Sequence, residues 1–207
     1  MGTYQGAEYY NKAYDKGDYD LPPEEMEMYF RIWSCALEDI GFHLEDKKRD
    51  NWKNKSYESP NTIVDLGCGP GHFPLLIKDE SINYYGYDFS LSAINKAKQS
   101  NHKNRKNKKF FLMDLEKDFP SHENVIYCSF EFFEHVPFDL EVLDKLKSGD
   151  VIFFSVPSFD TESHVRHFKS KEEVIERYNK KLDVVVTAVV GAPGEDHHIY
   201  LCKGIKK

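Results

Sequence analysis

Residues 63–73 read IVDLGCGPGHF, and this stretch decides the fold. Apolar and β-branched residues, broken once by Asp65, run into three glycines spaced G-x-G-x-G, and PLLIKDE follows at once. The pattern predicts a buried strand over 61–66, a tight glycine-rich turn and a helix over 72–79. In an open α/β sheet such a turn lies at the C-terminal edge of the strands, where ligands bind. Gly67, Gly69 and Gly71 can take positive φ and let a ligand lie against bare backbone. A helix start behind them would offer unpaired N–H groups to an anionic group. The dinucleotide fingerprint asks for G-x-G-x-x-G. Here the third glycine comes one place early, and Pro70 fixes φ inside the turn. With no evident hydride-site constellation either, a nicotinamide oxidoreductase is disfavoured.

The rest of the chain is that of an ordinary globular protein. Its 207 residues suit one domain, and 40% of them are hydrophobic and 30% charged. A formal net charge of −7 argues against a general nucleic-acid or anionic-membrane partner, and leaves room for a small local basic patch. Cys35, Cys68, Cys128 and Cys202 lack paired spacing, which suits reduced thiols in a cytoplasmic protein better than disulfides or a zinc site. No apolar run approaches the roughly 20 residues of a membrane span, and MGTYQGAEYY has no apolar signal core. Oligomeric state is not legible.

Taken in order, the chain opens with Tyr4, Tyr9, Tyr10, Tyr14 and Tyr19 at helix-like intervals. Pro22 and Pro23 then start an amphipathic helix whose stripe (Met26, Tyr29, Phe30, Trp33, Leu37, Ile40) ends at Gly41. It reads as a helix packing on a sheet, with the aromatic segment before it as a lid over a cofactor. Residues 45–60 read as a polar linker. The division expected is a helical extension, lid and linker over 1–60 and a sheet domain over 61–207. Strands are expected near 61–66, 82–87, 109–113, 123–129, 149–156, 182–190 and 197–203, and helices at 72–79, 90–100, 138–147 and 170–180. Such alternation gives a mainly parallel sheet covered on both faces, an α/β architecture. GAPGED joins the last two strands as a hairpin. The basic run HKNRKNKK (102–109) reads as a solvated loop, or as a patch that steers substrate.

Acids end two further strands. INYYGYD closes on Asp88, about 20 residues past the glycines, where a carboxylate can accept both hydroxyls of a ribose. Asp88 or Ser90 could also simply cap the helix LSAINKAKQS. Phe89 could pack on an adenine, and FFLMDL closes on Asp114. With Asp65 and the glycine turn, this constellation resembles class I S-adenosylmethionine-dependent methyltransferases over residues 60–156. The resemblance implies a Rossmann-like three-layer sandwich with seven strands in the order 3-2-1-4-5-7-6. It implies S-adenosylmethionine held by Asp65, Gly67, Cys68, Gly69, Gly71, Asp88, Phe89 and Phe130. It also implies Asp114 reading the adenine amino group between Met113 and Leu115.

The fourth strand runs into CSFEFFEHVPFDL, which is similar to the acidic E-x-x-E-H motif of the same family. Glu131, Glu134 and His135 share one face if the segment makes a helical turn, and SHVRHF adds His164 and His167 beyond the fifth strand. The combination resembles metal-assisted O-methyltransferases of the ubiquinone-biosynthesis type and of the small-RNA 2′-end type. It implies a divalent metal (Mg²⁺, Mn²⁺ or Zn²⁺) on Glu131, Glu134, His135 and His164, with His167 as a substitute for the last. Without metal, His135 or His164 is the candidate base, and Glu131 completes the catalytic set. Arg166 could pair with an acceptor carboxylate or phosphate. The expected activity is methyl transfer to a small-molecule oxygen. The competing readings are a 2′-O-methyltransferase for an RNA end and a non-catalytic S-adenosylmethionine-binding partner module.

Overall fold

A computed structural model describes residues 2–20, 23–51, 61–101 and 106–207. One seven-stranded sheet runs through it in the order β3-β2-β1-β4-β5-β7-β6. The strands are β1 (Thr62–Leu66), β2 (Asn83–Asp88), β3 (Lys108–Leu112), β4 (Ile126–Ser129), β5 (Val151–Pro157), β6 (Leu182–Gly191) and β7 (His198–Lys206). The first five pair in parallel, and β7 is antiparallel to both β5 and β6. This is the Rossmann-like methyltransferase fold that the motif resemblance implies. All seven β5 residues are buried, as an apolar central strand of a two-sided sheet must be.

Alternation along the strands builds two cores. Ile63, Tyr84, Phe110, Ile126 and Phe153 face one side, with α2 (Pro23–Asn51) and α3 (Leu91–Ser100). Val64, Tyr87, Tyr127, Ile152 and Phe154 face the other, with α4 (Asp139–Asp144) and α5 (Lys171–Tyr178). A register shift between Val186 and Ala188 of β6 changes face mid-strand. Val184 and Val186 therefore pack with the second core, whereas Ala188 and Val190 pack with the first. The N-terminal helix α1 (Ala7–Lys16) lies against α3.

Four expectations need correction. In place of a helix over 72–79 there is a single 3-10 turn, Phe73–Leu76, after which Ile77 is extended. Pro74 brings no N–H to a helix ladder, and the carbonyls of Pro74 and Ile77 accept instead from the buried Lys108 ammonium. No α-helix N-terminus therefore stands behind the glycine turn. Lys108 itself is buried in β3 and not solvated, while 102–105 of that basic run lie outside the described residues. Gly41 does not end α2, which continues to Asn51, so the expected linker begins as helix. An interior glycine costs only about 1 kcal/mol, too little to stop a long helix. Pro22 and residues 52–60 lie outside the described residues. The inward stripe of α2 is Met28, Ile32, Ala36 and Ile40 with Trp33, and Phe30 is exposed.

Candidate functional site

The glycine turn is built as the sequence demands. Gly67, Gly69 and Gly71 have φ of 78°, 52° and 74°. The N–H groups of Gly67 and Cys68 both donate to the Tyr87 carbonyl, at 2.8 and 3.0 Å, which moors the turn to the end of β2. A Cβ on Gly67 would lie 2.5 Å from the Phe132 ring, and one on Gly71 would lie 2.9 Å from Ala97. Gly69 is the open one, with only the Tyr14 hydroxyl at 3.1 Å from that position.

Asp88 braces the turn from the neighbouring strand. Its Oδ2 accepts from Gly69 N–H at 3.0 Å and its Oδ1 from Ser90 N–H at 2.8 Å. The cap of α3 is Ser90, whose hydroxyl accepts from Ala93 N–H at 3.2 Å. Burial pushes the Asp88 carboxyl up to about 6, against the hydrogen bonds from Ser90 and Gly69 that lower it. Asp65 lies deeper. Burial pushes it up to about 7, opposed by the Tyr84 hydroxyl, which donates to its Oδ2 at 2.5 Å.

Two cavities meet over this edge of the sheet. The smaller is lined by Asp88, Phe89, Met113, Asp114 and Leu115. The larger, about 520 Å³, takes Asp65, Cys68, Gly69 and Phe130 into its floor. Tyr14, Tyr19, Gly67, Glu131 and His135 line both and mark the seam between them. Gly71 lines neither; its positive φ and tight surroundings serve the turn itself. Asp114 is partly exposed, with Lys117 at 2.6 Å from one oxygen and Glu116 N–H at 3.1 Å from the other. The roof is α1, whose Asn11 Oδ1 accepts from the Ser90 hydroxyl at 2.8 Å and Ser92 N–H at 3.1 Å. Neither Asn11 nor Tyr10 was singled out as a site residue by motif, because their role depends on α1 folding back over the sheet edge.

Beyond β4 the chain makes turns, not the helical face the E-x-x-E-H spacing suggested. They still gather the acids and imidazoles. Donor atoms of Glu134, His135 and His164 all lie within 4.8 Å of one another. His135 Nδ1 is 3.2 Å from the Ser163 carbonyl and His164 Nδ1 is 3.0 Å from the Phe159 carbonyl. A carbonyl only accepts, so each Nδ1 carries the proton and each Nε2 keeps its lone pair. Burial, helped by neighbouring His164, lowers His135 to about 3, and burial lowers His164 as well. Both rings are thus neutral acceptors. Glu134 is fully buried, and neither of its oxygens has a close hydrogen-bond partner. Burial first, and then the Glu131 carboxylate, hold its pKa well above the usual range.

Glu131 adjoins the trio through its carboxyl, which interacts with that of Glu134. Its backbone takes φ of 51°, rare for a side-chain-bearing residue. Its N–H donates to Ser155 Oγ at 3.0 Å, and that hydroxyl donates back to Glu131 Oε1 at 2.8 Å. Burial pushes the carboxyl up to about 7 against this bond. Nothing in SVPSFD marks Ser155 as different from Ser158 until the strand pairing is known. His167 is outside the trio, with Nδ1 3.8 Å from Asp160. Arg166 does not face an acceptor. It donates to the carbonyls of Phe133, Val136 and Pro137 and pairs with Asp139 at 3.1 Å, so it ties down the turn that carries Glu134.

Among the described residues no helix is long and apolar enough to cross a membrane. Residues 41–187 match a family profile described as a methyltransferase domain. The fold is similar to that of the N-methyltransferase NodS from Bradyrhizobium japonicum in complex with S-adenosylhomocysteine. The identity is 16% and the TM-score 0.63, with 100% of this chain and 99% of that one covered. It is also similar to magnesium protoporphyrin IX methyltransferase from Synechocystis with bound S-adenosylmethionine, at 11% identity, TM-score 0.61 and 100% of both chains. A Haloferax volcanii chain in complex with a methyltransferase activator aligns at 17% identity and TM-score 0.61, covering 95% of this chain and 97% of that one. No curated relative matches by sequence.

Proposed function

This chain belongs to the methyltransferase-domain family, and from that premise we propose that it moves the methyl group of S-adenosylmethionine to an oxygen of a small-molecule acceptor. The nucleoside lies in the smaller cavity, with its ribose hydroxyls on Asp88 and its adenine between Phe89, Met113 and Leu115, where Asp114 meets the amino group. The methionyl arm crosses the seam at Gly67 toward Gly69 and Asp65. The acceptor takes the remainder of the larger cavity, whose walls include Tyr29, Trp33 and Phe159. Those ring faces suit an apolar or planar body.

Methyl transfer asks for alignment more than activation, since the sulfonium is already a strong electrophile. The acceptor oxygen lends an electron pair to the methyl carbon, the C–S bond breaks, and its electrons remain on sulfur as S-adenosylhomocysteine. The hydroxyl proton passes to Glu131 Oε2, the oxygen that Ser155 does not engage. Burial raises this carboxyl toward the neutral range, which suits it to that exchange. His135, held near 3, is better suited to lend its Nε2 lone pair than to keep a proton.

The observation that carries the oxygen assignment is the Glu134–His135–His164 trio. A buried Glu134 carboxyl with no close hydrogen bond, beside two imidazole lone pairs fixed by backbone carbonyls, is a donor set that a divalent ion takes as it displaces the carboxyl proton. When bound there, such an ion lowers the pKa of an acceptor hydroxyl. Titration with Mn²⁺ and Zn²⁺ tests this. One ion should bind per chain, and Glu134→Ala should weaken it at least tenfold. Unchanged affinity in the variant ends the metal-assisted reading.

A further inference from the structure

The strap that roofs the site brings in a side chain with an unused hydroxyl. Tyr10 of α1 is 7% exposed, and its hydroxyl oxygen has no close hydrogen-bond partner. Its ring lies 5.4 Å from the Phe89 ring on one side and edge-on at 5.9 Å from the His135 ring on the other. It lines the smaller cavity together with Asp88, Met113 and His135. The hydroxyl makes no close hydrogen bond; Ser163 and Tyr19 lie near enough to exchange only weak ones with it until a ligand oxygen displaces them, and Glu134 stands nearby. A buried donor left unpaired costs on the order of 1–3 kcal/mol, so such a group in a cleft marks where a ligand atom belongs.

Resting on the methyl-transfer reading above, we propose that Tyr10 is a catalytic residue. Its ring closes over the nucleoside beside Phe89 in the smaller cavity, and its hydroxyl, at the seam where His135 lines both cavities, donates to the acceptor oxygen held against the Glu134–His135–His164 cluster. Burial and the acidic neighbours keep the phenol protonated, so it acts as a donor and takes no proton. The position also explains the moorings of α1. Asn11, one residue on, is held by Ser90 and Ser92 at the N-terminus of α3, and Asp20 pairs with Lys96 at 2.9 Å. At the other end Thr3 N–H donates to the Glu162 carbonyl at 3.1 Å, in the same loop as Ser163 and His164. These contacts hold α1 docked, with the donor in place.

Tyr10→Phe keeps the ring and removes only the hydroxyl, while Tyr10→Ala removes both. S-adenosylhomocysteine affinity is measured by calorimetry. Turnover is followed as S-adenosylhomocysteine released from saturating S-adenosylmethionine, with catechol, 4-hydroxybenzoate, glycerol and adenosine as acceptors. Tyr10→Phe should hold S-adenosylhomocysteine within twofold of wild type yet lower kcat at least tenfold and raise the acceptor KM. Tyr10→Ala should also weaken S-adenosylhomocysteine at least tenfold. A Tyr10→Phe protein with kcat and KM within twofold of an active wild type overturns the assignment to Tyr10 alone. A wild type that binds S-adenosylhomocysteine and methylates none of the four overturns the oxygen-acceptor reading and this assignment with it.

Discussion

Asp88→Asn separates the binding role of this carboxylate from its structural one. The wild-type side chain accepts two backbone N–H bonds, from Gly69 at 3.0 Å and from Ser90 at 2.8 Å. An amide has one acceptor oxygen, so one N–H loses its partner at a cost of about 1.5–3 kcal/mol. Against this, the carboxyl is raised from 3.8 to about 6 by burial, a destabilisation of its ionised form by about 3 kcal/mol at neutral pH, which the neutral amide relieves. The two effects nearly cancel. The ligand-free variant should therefore melt within about 4 °C of wild type, given about 2–4 °C per kcal/mol for a chain of this size. The cofactor sees no such cancellation. Each ribose hydroxyl loses a charged acceptor worth about 1.5–3 kcal/mol, so S-adenosylhomocysteine should bind at least tenfold more weakly. The assay is thermal melting without ligand beside calorimetric titration with it. A variant that binds within twofold of wild type refutes the ribose assignment. One that loses more than about 10 °C before any ligand is added refutes the cancellation.

Two further perturbations test neighbouring parts of the same reasoning. Because Asp88 must be ionised to serve a ribose and titrates near 6, S-adenosylhomocysteine affinity should be flat above pH 7 and fall toward tenfold per unit below pH 6. For the empty protein the sign is opposite. A carboxyl raised in the folded state holds its proton more tightly than in the unfolded chain, so Asp88, and Asp65 near 7, subtract stability as pH rises from about 4 to 7. A ligand affinity unchanged between pH 7 and 5 contradicts the first statement. Asp139→Asn removes the anion that Arg177 grips at 2.8 and 2.6 Å and Arg166 meets at 3.1 Å. Breaking a buried pair from one side costs about 3–5 kcal/mol, a fall of about 6–20 °C in Tm. A loss under 3 °C would show that Arg166 is held by its backbone carbonyls alone.

The glycine turn, Asp65, Asp88 and Asp114 were legible as candidates because each lies at or beside the C-terminal end of a strand, and strands of a parallel sheet deliver those ends to one edge. The strand order followed from motif resemblance and agrees with the hydrogen-bonded pairs. What the sequence hid depends on long-range packing. Lys108 looked like part of a solvated basic run, yet its ammonium serves the carbonyls of Pro74 and Ile77, 34 and 31 residues away. Arg166 looked like an anion receptor, yet its two terminal nitrogens serve three carbonyls of the turn after β4. Gly41 read as a helix end, but nothing after it supplies a left-handed cap and α2 runs on. The E-x-x-E-H spacing groups Glu131, Glu134 and His135 by helical periodicity, with His164 added from beyond the fifth strand. Turns, not a helix, bring Glu134 and His135 to His164, with Glu131 against Glu134 and also bonded to Ser155. Tyr10 stood out only as one of five tyrosines in a segment read as a lid, and Ser155 carried no local signal.

Everything above rests on the cleft between the glycine turn and Asp88 being a socket for the S-adenosyl nucleoside. Calorimetric titration of the purified protein with S-adenosylhomocysteine and, separately, with NAD⁺ decides it. Saturable one-to-one binding of S-adenosylhomocysteine in the micromolar range, lost on Gly69→Val and absent for NAD⁺, is the predicted result. Binding of NAD⁺ with no heat from S-adenosylhomocysteine, or S-adenosylhomocysteine binding untouched by Gly69→Val, would contradict it.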